Sequence, residues 1–486
     1  MDYFKLKIAF LTSFIFFFTF SYAQIGIGRD NPRGILDVNQ SNNKNTAGLV
    51  VPRTGDVTTI KTPEGDEPIE GTLVYDIKEE CLRVKMETEW SQCLLDSVGL
   101  KTSVNQILGV GDNFKIKKVS AGYDNSLVIG IDGWLYTAGN NTNAKTGLGR
   151  SSGNTVSFTL ILGQPTVYAS AGYLHGVAVN QSGDLYTWGN NAGARTGQQA
   201  VTSGNTVVPT LVEEFGANTT YGRVIAAEAA LTNSYALTES GKVYSVGTST
   251  NGSSGTGGNL TTWTLLNIPE TVQAISASYY TAGALSSTGN VYVWGTGANG
   301  RLGIGTANLT TPTQITFPQP IKQLSMGAAC GIALATDNVT VYAWGRSGSA
   351  TNTADWTSPQ VITIPGFDPA TDQVLSVAAR RFDNGTGSIA IVTTIGVFVT
   401  GTNSYGMLGV NTTTTLTALQ KISGLRVYRS TEFLEASIGY RHTLLTTGEN
   451  QYNTEYNYVG YGMGYTTNGR LGAMSGNQRI PTIITK

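Results

Sequence analysis

The chain has 486 residues, a formal net charge of −1, 40% apolar residues and only 13% charged ones. So small a net charge gives no indication of a nucleic-acid partner or an anionic membrane surface. Apolar residues spread in short regular runs exclude a disordered polymer, and the scarcity of charge suits an exported β-rich protein better than a cytosolic enzyme.

In chain order, residues 1–23 read as a secretory signal. Lys5 and Lys7 give a positive start, Ile8 to Phe20 an apolar run, and Ser21-Tyr22-Ala23 a small-x-small cleavage site. The apolar run is short for a membrane span, so the mature chain, beginning near Gln24, is expected to carry none. No Cys follows the cleavage site, which argues against a lipid anchor there. The expected location is the periplasm, the cell surface or the medium.

Residues 24–100 are expected to form a small β-rich domain, with strands at Leu73 to Tyr75 and Leu82 to Lys85 and Trp90 covering them. Cys81 and Cys93 flank "CLRVKMETEWSQC" and are expected to pair in an oxidising compartment, a bond worth about 2–4 kcal/mol in the chain-entropy view. So small a core is marginal alone and is expected to dock or self-associate. The stretches "QIGIGRDNPRGILDVNQ" and "GLVVPRTGD", followed by the Cys…Trp…Cys element, resemble the N-terminal regions of exported proteins of Bacteroidetes-type bacteria. Residues 101–114 read as a linker.

From residue 115 to the C-terminus the chain repeats. Tyr136-Thr137-Ala138-Gly139 recurs as Tyr186-Thr187-Trp188-Gly189, Tyr244-Ser245-Val246-Gly247, Tyr292-Val293-Trp294-Gly295, Tyr342-Ala343-Trp344-Gly345 and Phe398-Val399-Thr400-Gly401, with a worn copy at Val459-Gly460-Tyr461-Gly462. The copies lie about fifty to sixty residues apart, near a propeller-blade period. In each unit a short apolar strand precedes an alternating one, such as "SLVIGI" or "GVAVNQ". A tight turn follows at Asp132-Gly133, Ser182-Gly183, Ser240-Gly241 or Thr288-Gly289, where Gly supplies a positive φ. The aromatic strand, a polar loop and a last strand near Pro complete four strands, the anatomy of a propeller blade. The copies ending at Gly401 and Gly462 depart from this pattern: their hairpin turns, around Gly396 and Gly448, are shorter or longer than the others, and "VAARRFDNGTGS" and "TTGENQYNTEYNY" look like insertions.

The units "SAGYLHGVAV…GDLYTWGNN" and "VYVWGTGANGRLGIG" resemble repeats of the regulator of chromosome condensation family. The resemblance implies an all-β, seven-bladed β-propeller. It also implies closure by the C-terminal strand, with "RIPTIITK" completing the blade that starts near Lys117. Secreted bacterial members of that family include a protein inhibitor of β-lactamase that uses aromatic turn residues on one propeller face. The nucleotide-exchange activity of eukaryotic members finds no matching residues here.

His175 is one of two histidines and invites a catalytic reading. The repeat places it in one column with Asn125, Asn233, Thr281, Cys330 and His442, most of which cannot replace imidazole as a base. The shared property is hydrogen bonding from a compact side chain, so the column is expected to pin the turn through a backbone contact. Cys330 is expected to be a buried, inert thiol. "GTGANG", residues 295 to 300, matches a dinucleotide fingerprint, but "RLGIGTANLTTP" behind it cannot form the required helix. No catalytic triad, phosphate loop or metal-ligand spacing appears, so no catalytic residue, cofactor or metal is expected.

The residues after the first turn include Tyr123, Tyr173, Tyr279, Tyr280, Tyr440 and Arg441, with Arg380 and Arg381 in the divergent sixth copy. They either form a partner-binding ring of Tyr and Arg around the channel or pack over neighbouring blades. The reading reached from sequence is an exported, non-enzymatic binding protein that uses propeller-face loops to hold a protein or surface ligand. A channel enzyme acting on glycans or as a lyase, or a structural adhesive component, are the alternatives.

Overall fold

Short alternating runs, punctuated by glycines at positive φ, build seven four-stranded antiparallel sheets in a computed structural model of the chain. In the repeat region the structure describes residues 114–198, 204–346, 355–382, 387–423, 425, 435–450 and 456–484; before residue 91 it describes only short stretches. The signal segment and Cys93, and with it the Cys81–Cys93 pairing, lie outside the described residues. The chain divides into two compact units, residues 1–110 and 111–486.

In the first unit Leu73–Asp76 pairs antiparallel with Cys81–Val84 and parallel with Arg53–Thr54. Val74 is buried, and Arg83 Nε donates to Asp76 Oδ2 at 2.9 Å. Lys85 bridges to Trp90, whose ring lies 6.0 Å from the Lys85 Nζ.

In the second unit every sheet is a meander in chain order. Blades 1 to 7 span residues 116–162, 166–211, 224–265, 272–315, 321–361, 374–421 and 435–483. The expected hairpin turns are present, with Gly133, Gly183, Gly241 and Gly289 at φ between 75° and 87°. The divergence of the seventh copy is an elongated hairpin: His442–Asn450 pairs with Tyr456–Gly464, so Gly448 stands opposite Tyr458 within a strand rather than in a turn. The fourth strands face outward, and Pro209, Pro312, Pro359 and Pro481 interrupt four of them, which blunts their free edges. The core lies between blades. One such layer joins Ile332 and Leu334 of blade 5 to Val377, Ile389 and Ile391 of blade 6.

Closure differs from the expectation. Gln478–Ile483 is the fourth strand of blade 7, and blade 1 holds four strands of its own, ending at Asn154–Leu162. With each blade complete, no strand needs to be exchanged, and the seam uses the same contacts as the other blade interfaces. Ala121 N donates to Ser437 Oγ at 2.9 Å, and Tyr440 N to the Gly122 carbonyl at 3.2 Å.

The first of these seam contacts repeats around the channel. Ser120, Ser170, Ser276 and Ser325 accept the backbone N–H of Ala171, Ala229, Met326 and Ala379 in the next blade, at 2.8–3.1 Å. The hydroxyls satisfy N–H groups on inner strands that have no further strand to pair with. Glu228 and Ala378 occupy the corresponding positions in blades 3 and 6.

The histidine column opens the second strand of every blade, with Ser388 as its member in blade 6. Each member pairs with the glycine that ends the aromatic strand, as His175 does with Gly189. A Cβ on Gly189, at φ +100°, would lie 2.6 Å from His175 Cα, so a side chain is excluded there. The Asn members bond within their own blade, Asn125 to the Lys145 carbonyl and Asn233 to that of Val246. Histidine and threonine reach further. His175 Nε2 meets Ser234 Oγ of blade 3 at 2.9 Å, His442 Nε2 meets Ser126 Oγ of blade 1 at 2.9 Å, and Thr281 Oγ1 donates to the Gly327 carbonyl. Against the expectation, these side chains bond to the third strand or its loop, or to the next blade, rather than pinning the turn that precedes them. Cys330 is buried, and burial pushes its thiol up to about 12.

Two outcomes are expected. Ser437→Ala strips the acceptor from a buried N–H at the seam and should cost about 1–3 kcal/mol in denaturant unfolding, whereas Ser151→Ala on an exposed loop should cost nearly nothing. Equal midpoints for the two variants would refute the serine ring as a stabilising device. The second outcome concerns acid. Burial pushes His175 down to about 3, with Arg195 adding to the effect, and holds His442 well below its ordinary value. The unfolded chain protonates both below about pH 6.5, so it binds more protons than the folded one and stability falls as pH drops from there toward 3. The double variant His175→Asn, His442→Asn, which installs the residue of blades 1 and 3, should show a smaller loss of Tm between pH 7 and pH 5. An undiminished loss would place the acid sensitivity elsewhere.

Candidate interaction face

Each first turn joins the innermost strand of a blade to its second strand, so all these turns emerge on one face around the channel. Backbone hydrogen bonds tie them to one another. Tyr123 N donates to the Gly172 carbonyl, Tyr173 N to Ala230, Leu231 N to Tyr279, Tyr279 N to Arg381, Arg381 N to Ile438 and Tyr440 N to Gly122, at 3.0–3.4 Å. The circuit closes without Ala328 of blade 5, which donates instead to Arg380.

On this frame the tyrosines identified from sequence come together. The Tyr123 ring stacks on Tyr440 with centroids 4.3 Å apart and 12° between planes, and lies 3.9 Å from Tyr173. Tyr173 meets Tyr279 edge-on at 6.2 Å, and Tyr279 meets Tyr280 at 4.5 Å. All five are half-buried. Fully buried Phe382 touches both Tyr123 and Tyr173 edge-on. Burial, then the Tyr173 hydrogen bond, raise the Tyr123 phenol far above its ordinary value, so it stays protonated. The rings pack across neighbouring blades, as one reading of the tyrosine column has it, and each keeps part of its surface exposed.

The arginines divide. Arg380 is buried and donates through Nε to the Tyr440 carbonyl at 3.1 Å. Arg381 turns into the channel, where Nη2 meets Glu228 Oε2 at 2.7 Å, Ser170 Oγ at 2.9 Å and the Ala229 and Ala277 carbonyls at 3.0 and 3.2 Å. Its Nη1 reaches Ser120 Oγ and the Ala171 carbonyl, both at 3.3 Å. One guanidinium thus ties the inner strands of blades 1 to 4. Neither Arg380 nor Arg381 presents its charge on the face as the sequence reading expects; carbonyls left over between blades draw the two side chains inward. Arg441 stays half-buried on the face, 4.6 Å from the Tyr440 ring centroid.

Tyr405 and Tyr465, missed by the repeat alignment, extend the cluster. Their rings are 4.4 Å apart and lie 5.2 and 5.8 Å from the Arg441 guanidinium. They belong to loops after the third strands of blades 6 and 7, outside the column that was read. Nearby, Arg470 pairs with Asp124 at 2.9 Å. Burial brings Lys145, 5.8 Å from the Tyr123 ring centroid, down to about 8.

Behind the Arg381 plug the channel holds a cavity of about 170 Å³ lined by Lys118, Tyr168, Glu228, Gln323, Arg381 and Glu435 among others. Glu228 is fully engaged, accepting from Tyr168 at 2.7 Å and Ser170 at 2.8 Å besides Arg381. Among the described residues no cluster of three His, Cys, Asp or Glu side chains is placed to hold a metal ion, and no helix is long and apolar enough to cross a membrane. The "GTGANG" segment forms a three-residue 3-10 turn, Ala298–Gly300, latched to the next blade through Asn299 Nδ2 and Asp355 Oδ2 at 2.8 Å.

Solved structures with a similar fold include human WBSCR16, 20% identical with a TM-score of 0.59, over 70% of this chain and 87% of that one. Prp20p from Saccharomyces cerevisiae, described with its binding properties to Gsp1p and histones, is 16% identical with a TM-score of 0.59, over 77% and 88%. Yeast RCC1 (Prp20) bound to Kap60 is 16% identical with a TM-score of 0.58, over 83% and 89%. At these identities the likeness shows the fold. No curated protein matches the chain significantly. Residues 167–193 and 288–334 match the family model described as the regulator of chromosome condensation (RCC1) repeat. These segments carry the turns, column residues and hairpins described above. Residues 111–486 form a seven-bladed β-propeller, and segments of its blades 2, 4 and 5 match the RCC1 repeat.

Proposed function

We propose that the chain is a non-enzymatic binding protein that holds a protein partner on the tyrosine-bearing face of its propeller. The carrying observation is the continuous band from Tyr280 through Tyr279, Tyr173 and Tyr123 to Tyr440, half-buried and mutually packed. Rings held in place before binding lose little conformational freedom on contact, which favours aromatic side chains as anchors. Prp20p, of similar fold, is described as binding Gsp1p and histones. Export belongs to the same proposal, with residues 1–23 as the signal and Cys81–Cys93 as a bridge formed in an oxidising compartment.

A catalytic reading would use the channel carboxylates Glu228 and Glu435. The bonds that Glu228 makes to Arg381, Tyr168 and Ser170 commit it to holding blades together, which favours the binding reading. With partner captured from envelope or host extracts, Tyr173→Ala and Tyr440→Ala should each weaken binding by about tenfold or more while unfolding stays cooperative. Undiminished capture by both variants would eliminate this face.

A further inference from the structure

The loop after the third strand repeats a left-handed residue, occupied by Asn143, Gly193, Asn251, Asn299 and Asn468 at positive φ. These are residue types that tolerate the conformation. In blade 6 the same position is Tyr405, at φ 63°. A bulky side chain there is an outlier, and such outliers concentrate where function requires them.

Two residues on, the loops of blades 2, 4 and 7 place Arg195, Arg301 and Arg470, which hold the first turn of the following blade. Arg195 reaches the Leu231 carbonyl, Arg301 that of Ala328, and Arg470 the Asp124 carboxylate. In blade 6 this position is Met407, fully buried. The turn it faces instead carries its own cation, Arg441, framed by Tyr405, Tyr440 and Tyr465. The guanidinium donates to Tyr440 Oη at 3.2 Å, and among the described residues no carboxylate lies within 4.0 Å of it. A guanidinium has five N–H donors in a rigid fork that fits a carboxylate, and stacking on tyrosines fixes its orientation.

We propose that Arg441 reads a carboxylate on the protein partner, an Asp or Glu side chain in an otherwise apolar segment that lies across Tyr123 and Tyr440. This rests on the binding face argued above and names the chemistry it selects. A single framed arginine suits one discrete carboxylate, whereas a polyanion would require a track of cations.

The test is selection of a random 12-residue peptide display library on the full chain, with enriched peptides measured by fluorescence polarisation. Peptides whose binding falls in Tyr440→Ala should carry an Asp or Glu. Changing that residue to its amide, or Arg441→Gln, should each weaken binding about tenfold, and the two together no further than either alone. Tyr405→Asn, which restores the residue of the other loops, should keep or raise Tm and still weaken binding. Face-dependent peptides without acidic enrichment, or additive losses, would overturn the carboxylate proposal and leave the face standing. Peptides indifferent to Tyr440→Ala, or no enrichment at all, would overturn both. Stronger Arg441-dependent binding of an oligonucleotide or heparin would replace the protein carboxylate with a polyanion.

Discussion

The hydrogen bond from a backbone N–H to the serine hydroxyl of the preceding blade is the constraint on which the rest of the propeller depends. Inner strands fan out around an axis, so no strand of the next blade can lie alongside to pair with them. Unpaired N–H groups facing the channel are costly, and Ser120, Ser170, Ser276, Ser325 and Ser437 each meet one. Where the series breaks at Glu228, Arg381 enters and binds the carbonyls and the carboxylate that would otherwise face a cavity. This plug and the circuit of bonded turns make the tyrosine face a rigid platform.

That rigidity shapes the binding argument. The tyrosines are not loose loop residues; each stands two or three residues beyond an inner-strand end that neighbouring blades hold. Two χ angles, already restricted by stacking, leave little entropy to lose. The face is also chemically uneven. Aromatic surface runs from Tyr280 to Tyr440, and the available charge gathers on the blade 7 side at Arg441. A partner is therefore held in one orientation rather than several.

Much of this was legible in the sequence because a repeat makes tertiary position a matter of column. The strands, the hairpin glycines, the histidine column and the tyrosine turns follow from reading one unit against the next. What was not legible depends on direction or on distant pairs. Nothing local in the sequence shows that the hydroxyl of Ser120, or of its equivalents, serves the next blade. Arg381 meets Ala171 and Ser120 across 210 and 261 residues, so its inward course could not be read from an apparent insertion. Tyr405 and Tyr465 sit in loops outside the compared column, though Tyr405 standing where other loops have Asn or Gly was a visible signal. Closure was misjudged because the last strand resembles the outer strand of any blade, and sequence does not say which sheet it joins.

Hydrogen–deuterium exchange of the full chain, alone and saturated with its captured partner, tests the account most directly. The account predicts new protection at the turns around residues 122–125, 172–175, 278–281 and 439–442, with the outer strands unchanged. Protection confined to the outer fourth strands, with these turns unaffected, would contradict it.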